Sequence, residues 1–191
     1  ADGATGGSVS IRAGNLLQGG AITADGIRGK GGEITVNVTG AIQTQSASLS
    51  ARGRTAGGTI VVNAATDGGG RLFSSATYLA TGAQGGEIKL LGRDIVLLGA
   101  PADASGNTGG GTILVGGDFQ GKNPAIPNAD STWVNYSTAL RADAGTTGCR
   151  KARRRPAEAL RPSPRRCHSS PRPWKWPSVP SPAAARPSGD P

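Results

Sequence analysis

The sequence predicts an all-β chain, a right-handed parallel β-helix (solenoid) of about five coils of ~25 residues, followed by a disordered tail. Three observations predict it. A glycine pair followed by two apolar residues set one apart returns five times. Within each unit the apolar residues alternate with polar ones, the period of a half-buried strand. No apolar pattern of period 3.6 runs for a useful length, which argues against helix.

The five units are Gly6-Gly7-Ser8-Val9-Ser10-Ile11, Gly31-Gly32-Glu33-Ile34-Thr35-Val36, Gly57-Gly58-Thr59-Ile60-Val61-Val62, Gly85-Gly86-Glu87-Ile88-Lys89-Leu90 and Gly110-Gly111-Thr112-Ile113-Leu114-Val115. Their second glycines, Gly7, Gly32, Gly58, Gly86 and Gly111, are 25, 26, 28 and 25 residues apart. With Ile34, Val36, Ile60, Val62, Ile88, Leu90, Ile113 and Val115 they form the predicted structural anchors of the repeat. A second strand precedes the next glycine pair, at Ile22, Leu49, Leu79, Ala102 and Leu140, each read as an inward residue followed two positions later by a small one. A weaker third strand lies between, at Leu16-Leu17, Ala41-Ile42, Leu72-Phe73 and Ile95 to Leu98.

Stacked coils pair each strand with its equivalent one coil on, roughly 4.8 Å away. Ile34 is then expected on Ile60, and Ile60 on Ile88. Glycine at the corners is expected to supply the positive φ of tight bends. A flexible Gly/Ser linker has no reason to hold Ile or Val at the same two places five times. A β-sandwich turns about every 8–12 residues, without this longer echo.

The chain's net charge of +9 suggests a polyanion binder only if averaged over all 191 residues. Residues 1–148 hold ten Lys/Arg and ten Asp/Glu, whereas residues 149–191 hold eleven against Glu158 and Asp190. That contrast sets two parts, a β-helix segment at 1–148 and an Arg/Pro-rich tail at 149–191. No window approaches the ~20 apolar residues of a membrane-spanning helix. The sequence starts in mid-repeat without Met or a signal peptide, so it is expected to be a piece of something longer.

The run from Gly110 to Asn128, with Gly116-Gly117-Asp118-Phe119-Gln120-Gly121-Lys122-Asn123 and Ile126-Pro127-Asn128-Ala129, resembles the repeat body of large exoproteins of the filamentous-hemagglutinin family. Ala142-Asp143-Ala144 extends the likeness, which spans residues 1–148. Such proteins are secreted adhesins of Gram-negative bacteria and cyanobacteria, exported through an outer-membrane β-barrel transporter (two-partner secretion). For this chain the resemblance implies a non-catalytic adhesin shaft at the bacterial surface, attaching to host, matrix or neighbouring cells. It implies the transporter as export partner and glycans or cell-surface molecules as ligands.

Residues that suggest chemistry are few. Gly116 to Lys122 fits G-x-x-x-x-G-K, but Asn123 and Pro124 follow where a phosphate loop needs Ser or Thr and a helix. Asp25, Asp67, Asp103 and Asp143 stand singly, unlike tandem calcium-binding repeats. Asp94 beside Arg93, or Asp118 near Lys122, are the pairs a polysaccharide-acting β-helix enzyme would use. Asn37 and Asn135 match the glycosylation acceptor pattern. Trp133 and Tyr136 are placed in an insertion between coils, covering an edge or stacking on a sugar. Thr35, Asn37, Thr59 and Asn63 are expected to form flat polar ladders suited to multivalent contacts. No catalytic residue, cofactor, metal, small-molecule substrate or nucleic acid is expected of the body.

The tail reads two ways. Cys149, Cys167 and His168 are too few for a structural zinc site, and the charges suit a disordered segment on nucleic acid or anionic lipid. Arg, Pro, Ala and Ser in excess after Gly148, where another glycine pair is due, fit an out-of-frame translation better.

Overall fold

The computed structural model describes residues 2–65 and 69–145, and they form an all-β parallel solenoid. Expectations for Asp67 and for the tail from Cys149 onward lie outside the described residues.

Five rungs follow one another. The first is β1 (Ser8–Ala13), β2 (Leu16–Gln18) and β3 (Ala21–Thr23), and the second β4 (Glu33–Val38), β5 (Ile42–Thr44) and β6 (Ser48–Ser50). The third is β7 (Thr59–Ala64), β8 (Arg71–Ser74), β9 (Thr77–Leu79) and β10 (Gly82–Gln84). The fourth is β11 (Glu87–Leu91), β12 (Asp94–Leu97), β13 (Ala102–Asp103) and β14 (Gly106–Gly109), and the fifth β15 (Thr112–Val115), β16 (Ser131–Val134) and β17 (Leu140–Arg141). Like pairs with like, giving three five-stranded parallel sheets (β1-β4-β7-β11-β15, β2-β5-β8-β12-β16 and β3-β6-β9-β13-β17) and a short β10-β14 pair.

The register places Ile34 on Ile60 and Ile60 on Ile88, as the repeat predicts. Val36, Val62 and Leu90 form the next inward row, and these six side chains are at most 2% exposed. Each such burial contributes about 1.5–3 kcal/mol. The third sheet corrects one position. Leu49 pairs with Tyr78, so Tyr78 points inward and Leu79 is a half-buried outward residue. The phenol is admitted because its hydroxyl has partners. Ser74 Oγ lies 2.8 Å away and accepts from Thr44 Oγ1 at 2.7 Å, both inside the core. Burial pushes the Tyr78 hydroxyl pKa up, against the lowering effect of Ser74 and Thr44.

The repeat glycines also need a different explanation. Positive φ occurs at Gly69, Gly99, Gly116, Gly117 and Gly121, and none of these belongs to a repeat pair. The repeat pairs are required by close approach instead. A Cβ on Gly32 would strike the Gly7 carbonyl, one on Gly58 the Gly32 carbonyl, one on Gly86 the Gly58 carbonyl and one on Gly111 the Gly86 carbonyl. These same residues turn each corner, because the N–H of Gly32, Gly58, Gly86 and Gly111 donates to the carbonyl of Ala24, Ala51, Ala80 and Ala104 at 2.7–2.9 Å. Those four alanines are fully buried.

At each end of the described stack the edge strands have one neighbour. Inward side chains there are less covered, Val134 being 40% and Leu140 45% exposed against about 0% in the middle rungs. Between β15 and β16, residues 116–130 bulge out through the left-handed glycines Gly116, Gly117 and Gly121, and Asn128 Nδ2 donates to the Gly121 carbonyl at 3.1 Å.

Two glycine substitutions separate the close-approach argument from glycine content as such. Gly58→Ala is expected to lose about 3 kcal/mol or more, since the added methyl meets backbone that cannot yield. Gly20→Ala, where nothing lies within 4 Å, is expected to stay within about 0.5 kcal/mol in urea denaturation. Equal losses at both positions would refute the argument. The open edges predict association. Sedimentation of the chain is expected to show particles growing with concentration, and a monomer unchanged at high concentration would contradict this.

Candidate functional site

With the inward rows filled by the core, any recognition chemistry must lie on the outward rows. On the sheet of β1, β4, β7, β11 and β15, one row runs Ser8, Glu33, Thr59, Glu87, Thr112. The next runs Ser10, Thr35, Val61, Lys89, Leu114, so Val61 interrupts the expected threonine ladder. Asn37 does pair with Asn63, but Asn63 Oδ1 is buried and accepts no hydrogen bond among the described residues. That face is therefore less uniformly polar than expected. Lys89 Nζ is 2.9 Å from Glu87 Oε1, and Thr35 Oγ1 donates to Glu33 Oε1 at 3.1 Å.

The sheet of β2, β5, β8, β12 and β16 carries the aromatic residues. Its outward row is Leu17, Gln43, Phe73, Val96, Trp133. Trp133 is thus part of a regular strand rather than of an insertion, and the insertion is the preceding bulge. Tyr136, fully exposed, follows in the turn after β16. Beside the apolar row lie Arg71, Asp94 and Ser131, paired in register. Ser131 Oγ donates to Asp94 Oδ1 at 2.7 Å, and Arg71 Nε stands 3.4 Å from Asp94 Oδ2. The Ser131 hydrogen bond, with the charges of Arg71 and Arg93, outweighs partial desolvation and holds the Asp94 carboxyl below the usual range. Arg93 itself turns to Asp130, at 2.8 Å. The Arg93-Asp94 neighbours in sequence therefore serve two separate ion pairs.

At the third corner, an open groove of about 640 Å³ is lined by Arg52, Arg54, Thr81, Asp103, Arg141 and Asp143 among others. The Asp103 carboxylate is engaged in a turn, its Oδ1 accepting from the Ser105 N–H at 2.8 Å. Asp25 lies one rung above and clamps two rungs together. It accepts from Ser50 Oγ at 2.6 Å, from the Arg52 N–H at 2.7 Å and from the Arg52 guanidinium at 3.2 Å. Burial raises its pKa, and those hydrogen bonds outweigh burial and bring it below the ordinary value of 3.8.

The remaining sequence candidates are placed as follows. Gly116 to Lys122 leads into a 3₁₀ turn at Phe119–Gly121, not a helix, so no helix amino terminus faces that loop. Asp118 accepts from Asn123 Nδ2 at 2.8 Å. The Asn135 carboxamide oxygen accepts from the Gly99 N–H, Ser137 Oγ and Thr138 Oγ1, which fixes it as a corner brace. Among the described residues no three His, Cys, Asp or Glu side chains gather as metal ligands. The sequence reading did not align Phe73 with Trp133. The signal was the alternation within Leu72-Phe73-Ser74 and Thr132-Trp133-Val134, which needs the rung register to be seen.

No family model, no curated protein and no solved structure matches this chain.

The Asp25 clamp gives a pH dependence of definite sign. Its folded pKa is lower than the unfolded one, so its stabilisation is complete above the ordinary value of 3.8 and is lost as pH falls through the depressed folded value. Asp25→Asn is expected to cost about 1–2 kcal/mol at neutral pH and to flatten the acid limb of stability. Urea midpoints that fall equally with acid in both proteins would contradict the clamp.

Proposed function

We propose that residues 1–148 form a non-catalytic shaft segment of a secreted bacterial adhesin of the filamentous-hemagglutinin type, attaching to host, matrix or neighbouring-cell molecules. The observation that carries this reading is the rung repetition. Outward rows recur at one strand spacing along three sheets, so the molecule presents side chains in straight lines at a fixed step, open to several weak contacts at once. Affinity then comes from multivalency rather than from an enclosed site. Export through an outer-membrane β-barrel transporter and location at the cell surface come with the resemblance of the Gly110 to Asn128 run.

The charges favour this reading over a polysaccharide-cleaving enzyme. A glycosidase acid needs a carboxyl with a raised pKa beside a second carboxylate. Both Asp25 and Asp94 are shifted downward, by donors that hold them ionised.

Beads coated with the full chain at increasing density are expected to capture cells more steeply than in proportion to density. Asp118→Ala is expected to leave capture unchanged. Absence of capture at every density would refute the reading. Release of reducing sugar from a glycan, abolished by Asp94→Ala, would replace it with the enzyme. Polyanion binding reproduced by residues 149–191 alone would point to the basic tail.

A further inference from the structure

Phe73, Val96 and Trp133 occupy one outward row on three successive rungs, and no part of the core accounts for them. Phe73 is 39% and Trp133 57% exposed, and Leu17 lies in the same row at 73%. Phe73 and Trp133 are two strand spacings apart, roughly 9.6 Å along the axis. Within the paired strands the row is one side chain wide, with Arg71, Asp94 and Ser131 as the outward row beside it.

These features select the occupant. A strip this narrow is far short of the area that a stable protein partner buries. The charges beside it are paired, Arg71 with Asp94 and Arg93 with Asp130, leaving no local excess to draw a polyanion. What fits is a linear polymer with apolar faces repeated along a straight line and hydroxyls at its edges. A β-1,4-linked hexopyranose chain has that form. Its ring C–H faces stack on aromatic rings, and one disaccharide is close in length to two rungs. Its equatorial hydroxyls would meet the guanidinium, carboxylate and hydroxyl of the neighbouring row.

We propose that the face formed by β8, β12 and β16 binds a neutral β-1,4-linked polysaccharide lying along the solenoid axis, stacked on Phe73 and Trp133 with Val96 between them. The proposal rests on the adhesin reading in one respect, that it names the ligand class of that attachment. The hydroxyl contacts fall to Arg71, Asp94 and Ser131, which their mutual hydrogen bonds already hold in place.

The test uses the full chain carrying Trp174→Phe and Trp176→Phe, so that Trp133 is the one indole reporting. Cellohexaose or mannohexaose is expected to shift its emission to the blue and to saturate. Cellobiose, too short to span both rings, is expected to bind at least about tenfold more weakly, and dextran and heparin to leave the emission unchanged. By calorimetry Phe73→Ala and Trp133→Ala should each weaken hexaose binding about tenfold, with Trp133→Phe retaining most of it. Ile27→Ala, exposed elsewhere, should change nothing.

The proposal is overturned if neither hexaose saturates. It is also overturned if hexaose binding survives both alanine variants with their β circular dichroism intact, or if heparin binding depends on Trp133. Cell capture without hexaose binding removes this inference and leaves the adhesin reading standing. Hexaose binding without cell capture does the opposite.

Discussion

Each rung of the solenoid rests on its predecessor through a column of glycine backbones, Gly7, Gly32, Gly58, Gly86 and Gly111. At this corner main chain packs directly on main chain, leaving no room for a side chain on Gly32, Gly58, Gly86 or Gly111. The same residues direct their N–H groups back to the buried alanine carbonyls that end the preceding coil. One column therefore sets both the turn of the chain and the height of the step. The apolar rows follow from that step. Once the glycines are superposed at one strand spacing, Ile34, Ile60 and Ile88 have nowhere to lie except over one another.

Inward and outward positions consequently obey different rules. Inside, a residue must match the shape of the rungs above and below, and polar atoms enter only as a closed set, as Thr44, Ser74 and Tyr78 do. Outside, the strands fix spacing but leave identity open. Sequence can then vary along a row without cost to the core, and chemistry accumulates as lines rather than as pockets. The Asp94 row beside the Phe73 row is such a line, with its charges settled among themselves. Asp25 shows the other use of an outward carboxylate, which is to hold two rungs together.

Much of the architecture was legible because its requirements fall on single residues at a fixed interval. Glycine and Ile/Val after it are visible without knowing what they touch. The reason for the glycine was not visible, since positive φ and close approach demand the same residue. The inward residue of β9 was misplaced at Leu79 because Tyr78 looks amphipathic until Ser74 and Thr44 are seen to satisfy its hydroxyl. Trp133 was misassigned for a different reason. The bulge at 116–130 breaks the interval, and no glycine pair announces β16. Candidate recognition residues were the least legible part. An outward row is a property of register across rungs, and its members are scattered at wide intervals along the chain.

The parallel pairing also decides how the molecule carries a load. Strand hydrogen bonds in all three sheets point from rung to rung, along the axis, so a pull on the chain ends opens them in peeling order rather than shearing a whole sheet at once. Each of the first four rungs that yields gives up one strand spacing of roughly 4.8 Å and releases 25 to 28 residues of slack. At about 3.3 Å per residue that is roughly 85 Å of new contour length. Such a body resists by lengthening in discrete steps, a mechanical fuse in which the terminal rung goes first and the remaining rungs keep their register.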